Sequence, residues 1–148
     1  MSNILLITHN HVGTALLATA KRTLDKFPCE IKTISIAQDA NIDILLTQIQ
    51  VTLATLDNGA GVLILTDIYG ATPSNLANEL LTHSDSPIKI ISGLNLPMLI
   101  KAINYAHLPL ANMAEKAFLG GRDGVCICTC ESDQRIKASH DSTVCYHH

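Results

Sequence analysis

The sequence predicts an α/β fold built on a mostly parallel sheet, and three observations carry that expectation. Short apolar runs alternate with longer segments of helical spacing, strand then helix, along most of the chain. Two runs, "ILLI" at residues 4–7 and "VLIL" at 62–65, contain no polar residue, the pattern of strands covered on both faces. And 148 residues, 47% hydrophobic and 16% charged, suffice for one domain with a sizeable core.

The elements follow in order. After the first strand, helical spacing runs over residues 12–24, with Ala15, Leu16, Ala20, Thr23 and Leu24 on one stripe and Pro28 as its limit. "EIKTISI" at 30–36 alternates strictly, so it is a half-buried edge strand. Residues 41–56 form an amphipathic helix capped by Asn41, and "NGAG" then breaks the chain. "GVLILTD" at 61–67 is the clearest central strand and ends in a carboxylate. Thr72 and Pro73 resemble an N-cap followed by proline at the first helical position, opening a helix to about residue 81. A strand at 88–92, a helix at 96–105 and a helix from Pro109 to about 119, stopped by Gly120 and Gly121, come next. "GVCICTC" at 124–130 reads as a fifth strand. Residues 1–130 thus make one domain, and the polar, non-periodic residues 131–148 a loose tail.

Composition narrows the function. A net charge of −3 offers no general electrostatic attraction to nucleic acid or acidic membrane. No apolar run approaches the roughly 20 residues that span a bilayer. The N-terminus has no basic region, long apolar stretch or cleavage site of a signal peptide, so a cytoplasmic protein is expected. The five cysteines are odd in number, and Cys126, Cys128 and Cys130 alternate along one strand without zinc-ribbon spacing. That pattern fits reduced thiols better than a disulfide framework.

The chemistry is sought where α/β sheets bind ligands, beyond the carboxyl ends of strands at the point where strand order reverses. In the doubly wound order 2-1-3-4, with helices on both faces, that point falls between strands one and three. His9 ends the first and Asp67 the third, so the two would face each other. A carboxylate accepting from one ring nitrogen leaves the other as a nucleophile and stabilises the ring once it is substituted. The helix opening at Thr72 and Ser74 aims backbone N–H groups at the same crevice, an anion site. Together these suggest phosphoryl transfer through phosphohistidine.

"THNHVGTALLATA" (8–20), "GVLILTDIYGATPSNLA" (61–77), "SGLNLPML" (92–99) and "GGRDGV" (120–125) resemble, in order and spacing, the IIA component of the mannose family of bacterial phosphotransferase systems. The resemblance implies a phosphotransferase component in which His9 accepts phosphate from the phosphocarrier HPr and passes it to a IIB component. Asp67 falls on the family's aspartate partner. The resemblance further implies a homodimer whose last strand crosses between subunits, and an indirect association with IIC and IID membrane components. Asn10 stands where the family often has glycine, and His11 is an extra histidine. Tyr69, Asn95 and Met98 are expected on the partner surface or pocket wall, with Asn95 holding a turn. No cofactor or metal is required.

Blander readings compete. A histidine after an apolar strand is more often structural than nucleophilic, and His11 reads as helix-entry surface. Thr72 serves first as a helix cap. "HNH" with Asp67 could instead form an H-x-H…D metal site of a hydrolase, although barrels using that pattern are far longer. His140, Cys145, His147 and His148 could bind metal adventitiously. A third alternative is a regulatory domain whose phosphorylation state is itself the output.

Overall fold

The structure is a computed structural model that describes residues 1–128. Its centre is β1 (Asn3–His9), in which every residue except His9 is buried. Such a strand needs neighbours on both edges and cover on both faces. β2 (Ile31–Ile36) pairs parallel on one side, His9 opposite Ile36; β3 (Val62–Thr66) pairs parallel on the other, Ile7 opposite Thr66. β4 (Ile88–Ser92) lies parallel beyond β3. The order is 2-1-3-4, so strand order reverses between β1 and β3, and the alternating β2 is indeed an edge.

Because successive side chains point to opposite faces, each buried strand feeds two cores. Ile4, Leu6, Leu63 and Leu65 pack with Leu99, Ile103, Met113 and Ala117 under α1 (Val12–Thr23), α4 (Leu96–Asn104) and α5 (Leu110–Asp123). Leu5, Ile7, Val62 and Ile64 pack with Ile49, Leu53, Leu76 and Leu80 under α2 (Ile42–Leu56) and α3 (Thr72–His83). Fully burying one such aliphatic side chain is worth about 1.5–3 kcal/mol. Asn41 caps α2 as expected, its side chain accepting from the Ile44 N–H. Among the described residues no helix is long and apolar enough to cross a membrane.

Two expectations are corrected. Gly120 and Gly121 do not stop α5, which continues to Asp123. A Cβ on Gly120 would lie 2.3 Å from Lys101 Cγ, and one on Gly121 2.6 Å from Met98 Cε. The glycines are contact points that let α5 lie close on α4. Residues 125–128 of the expected fifth strand adopt no regular secondary structure, while Thr129 and Cys130 lie outside the described residues. Alternation makes a strand only where a partner edge receives it. Cys29 and Cys128 are free thiols.

Candidate functional site

His9 and Asp67 meet at the switch point. The Asp67 carboxylate lies 3.0 Å (Oδ2) and 3.2 Å (Oδ1) from His9 Nδ1. The same carboxylate is held from the backbone, accepting from the His9 N–H at 3.0 Å and the Ile68 N–H at 3.1 Å. An ionised carboxylate only accepts, so this pairing selects the tautomer with hydrogen on Nδ1. Nε2 then carries the lone pair. The Asp67 side chain is 11% exposed and that of His9 39%, so the carboxylate is sheltered and the imidazole open to solvent.

The turn after β1 is built to hold His9 there. Buried Thr8 accepts from the Gly13 N–H at 2.8 Å, tying strand end to helix start. A Cβ on Gly13 would sit 2.8 Å from that same hydroxyl oxygen, so glycine lets α1 approach. Between them Asn10 has φ +43°, in the left-handed region, and donates its N–H to Ile36 O at 3.0 Å. His11 is exposed and occupies the cap position of α1 without a side-chain hydrogen bond.

A cleft of about 360 Å³ opens beside His9, lined also by Asn10, Ile36, Gln38, Ile42 and Thr72. Thr72 therefore reaches the site, but not as a cap. It is the first residue of α3, Ala71 occupies the cap position, and no side-chain cap bond forms. Proline second in the helix lacks a donor and fixes φ, so the terminus needs less capping. Ser74 is fully buried, and its hydroxyl lies 3.3 Å from Ser92 Oγ, which lies 2.9 Å from Thr66 Oγ1. These three hydroxyls tie the start of α3 to β3 and β4. Sequence inspection missed the chain, because nothing local marks residues 66, 74 and 92 as neighbours.

Tyr69 is 80% exposed and follows Ile68, which is 57% exposed; Val12 and Ile42 are also exposed, so the segments carrying the site present apolar side chains to solvent. Asn95 and Met98 are elsewhere. Asn95 caps α4, accepting from the Met98 N–H at 3.0 Å, and donates to Gly121 O at 3.0 Å. Met98 is in the core against Gly121. Neither lines the cleft, because the helix they open is packed under α5. Among the described residues, no three His, Cys, Asp or Glu side chains are grouped to hold a metal ion.

A family profile described as "PTS system fructose IIA component", of the mannose type, matches residues 3–140. Over 100 residues the chain is 30% identical to the PTS system mannose-specific EIIAB component of Escherichia coli (strain K12), an alignment covering 68% of this chain. It spans about 30% of the length of that relative. In fold it is similar to the phosphotransferase system component EIIA of Streptococcus agalactiae, with TM-score 0.76, 21% identity, and coverage of 86% of this chain and 97% of that one. A mannose/sorbose specific IIA subunit from Enterococcus faecalis gives TM-score 0.78 at 19% identity, covering 87% and 96%. A doubly wound sheet with a histidine–carboxylate pair at its switch point defines the class of site. The chain belongs to the mannose-type IIA family of the phosphotransferase system.

Proposed function

We propose that the protein is a cytoplasmic phosphoryl carrier that accepts phosphate on His9 from phospho-HPr and hands it to a IIB component for sugar uptake. The observation that carries this is the Asp67 carboxylate 3.0 Å from Nδ1, which leaves Nε2 as the nucleophile. In the transfer, the Nε2 lone pair forms a bond to phosphorus as the donor's P–N bond breaks. The departing electron pair stays on the donor imidazole. The Nδ1 hydrogen stays in its bond to Asp67, whose charge offsets that of the substituted ring. Thr72, which opens α3 and lines the cleft, offers its backbone N–H and its hydroxyl to phosphoryl oxygens, whereas Pro73 has no N–H and Ser74 is buried. Exposed Tyr69, Ile68, Val12 and Ile42 form an apolar rim for a partner protein.

The working unit is a homodimer in which the segment after α5 pairs with the partner's β4. Two features support this. Among the described residues β4 has no strand beyond it, and Val125 and Ile127 are 69% and 73% exposed. An open edge presents unpaired N–H and C=O groups, which a second copy can satisfy. The test of the carrier function is labelling from purified phospho-HPr. His9→Ala should abolish it, and His11→Ala should leave most of it. Labelling that survives the first change and is lost with the second would overturn the assignment.

A further inference from the structure

A phosphoryl group on Nε2 brings about −1.5 to −2 charge into the cleft. Asp67 already places a carboxylate behind the ring, and among the described residues no lysine or arginine lines the cleft. Neutral donors must therefore hold the phosphoryl oxygens. The α3 terminus and Thr72 supply them from the β3 side alone. On the β2 side the cleft is lined by Asn10, directly after His9, and by Gln38, just past the end of β2. Both are exposed, and among the described residues neither side-chain amide makes a hydrogen bond with another group.

Asn10 carries a second signal. Its φ of +43° is the one positive value at a non-glycine residue among the described residues. Glycine would adopt that conformation without strain, whereas a side chain there costs free energy, least for asparagine. Backbone strain of this kind persists where the side chain has a use. The Asn10 N–H is bonded to Ile36 O, which fixes how the residue leaves the strand.

Resting on the carrier function above, we propose that Asn10 and Gln38 bind the phosphoryl group on His9, their amide NH₂ groups donating to its oxygens opposite Thr72. The cleft then closes on the phosphoryl from both sides of β1. These contacts exist only in the phosphorylated state, so they raise the equilibrium constant for taking phosphate from the donor.

The test is that equilibrium constant, measured from the phosphorylated fractions of protein and HPr after mixing, for the wild-type chain, Asn10→Gly, Asn10→Asp and Gln38→Ala. Losing one hydrogen bond to a charged group should lower it about tenfold in Asn10→Gly and in Gln38→Ala. Asn10→Asp tolerates the same backbone but has no donor and adds charge, so it should fall further. Asn10→Gly should leave Tm unchanged or raise it, since it relieves the strain. Residues that only touched HPr would change forward and reverse rates equally and leave the constant alone. A wild-type constant in both Asn10 variants overturns the assignment of Asn10, and one in Gln38→Ala that of Gln38. A wild-type chain that takes no phosphate overturns the carrier function, and this inference with it.

Discussion

At the scale of the residue, the site rests on a division of labour between two ring nitrogens. Asp67 occupies one, and the proposed transfer uses the other. Asp67→Asn keeps the shape and can keep a hydrogen bond, but it removes the charge and can stabilise the wrong tautomer. A charge-assisted hydrogen bond in a partly buried site is worth about 1.5–3 kcal/mol, so single-turnover transfer from phospho-HPr should slow roughly ten- to a hundredfold. Affinity for HPr should change little, because the rim and the α3 terminus remain; an unchanged rate would make Asp67 a bystander. The same division predicts that the protein's own step needs no metal. Transfer started from purified phospho-HPr should proceed in the presence of a chelator, and arrest under those conditions would favour a metal site. His9 and Asp67 were both legible as strand-end residues. Asn10's left-handed backbone and the buried hydroxyls of Thr66, Ser74 and Ser92 were not, since φ and three-dimensional adjacency have no signature in residue type alone.

At the scale of the element, helix ends depend on packing as much as on composition. Paired glycines at 120 and 121 predict a stop by their backbone freedom, yet α5 continues because its partner helix occupies the space that side chains would need. Gly121→Val should therefore destabilise by about 1–3 kcal/mol through overpacking. Combining it with Met98→Ala should cost less than the sum of the two, because the truncated side chain no longer opposes the new one. Denaturant unfolding of the single and double variants checks this, and strict additivity would refute the contact. The loop before β2 offers a chemical probe. Burial pushes the Cys29 thiol up from 9.0 to about 11, outweighing a backbone hydrogen bond and the charge of the N-terminus, which lower it. The thiolate is the reactive species. At pH 8, iodoacetamide should modify exposed Cys128 well before Cys29. Folding disfavours the Cys29 thiolate, so this group's contribution to stability is complete below pH 9 and lost as pH rises from 9 to about 11.

At the scale of the whole molecule, among the described residues no strand lies beyond β4, and Val125 and Ile127 follow α5 with their side chains exposed. If a second copy joins these, the oligomer depends on a few residues beyond α5. Truncation after Gly124 should give monomers or aggregate, while truncation after Cys130 should leave a dimer. Size-exclusion chromatography with light scattering distinguishes the two. A folded dimer from the shorter chain would refute strand exchange. Cutting after Gly124 keeps α5 whole, so a loss of dimer is not a loss of helix.

The sequence by itself determined the alternation of strands and helices, the two-sided burial of β1 and β3, the edge character of β2, and the placement of His9 and Asp67 at strand ends. These follow from periodicity and from the hydrophobic effect, which act on residue type over a few neighbours. Only the tertiary structure decided that Ala71 rather than Thr72 precedes α3, that Asn95 and Met98 serve the α4–α5 contact, and that residues 125–128 form no strand within the chain. It also decided which residues share the cleft with His9. Each of these depends on which atoms fill the neighbouring space, and that is set by segments tens of residues away, whose packing leaves no local trace in the chain.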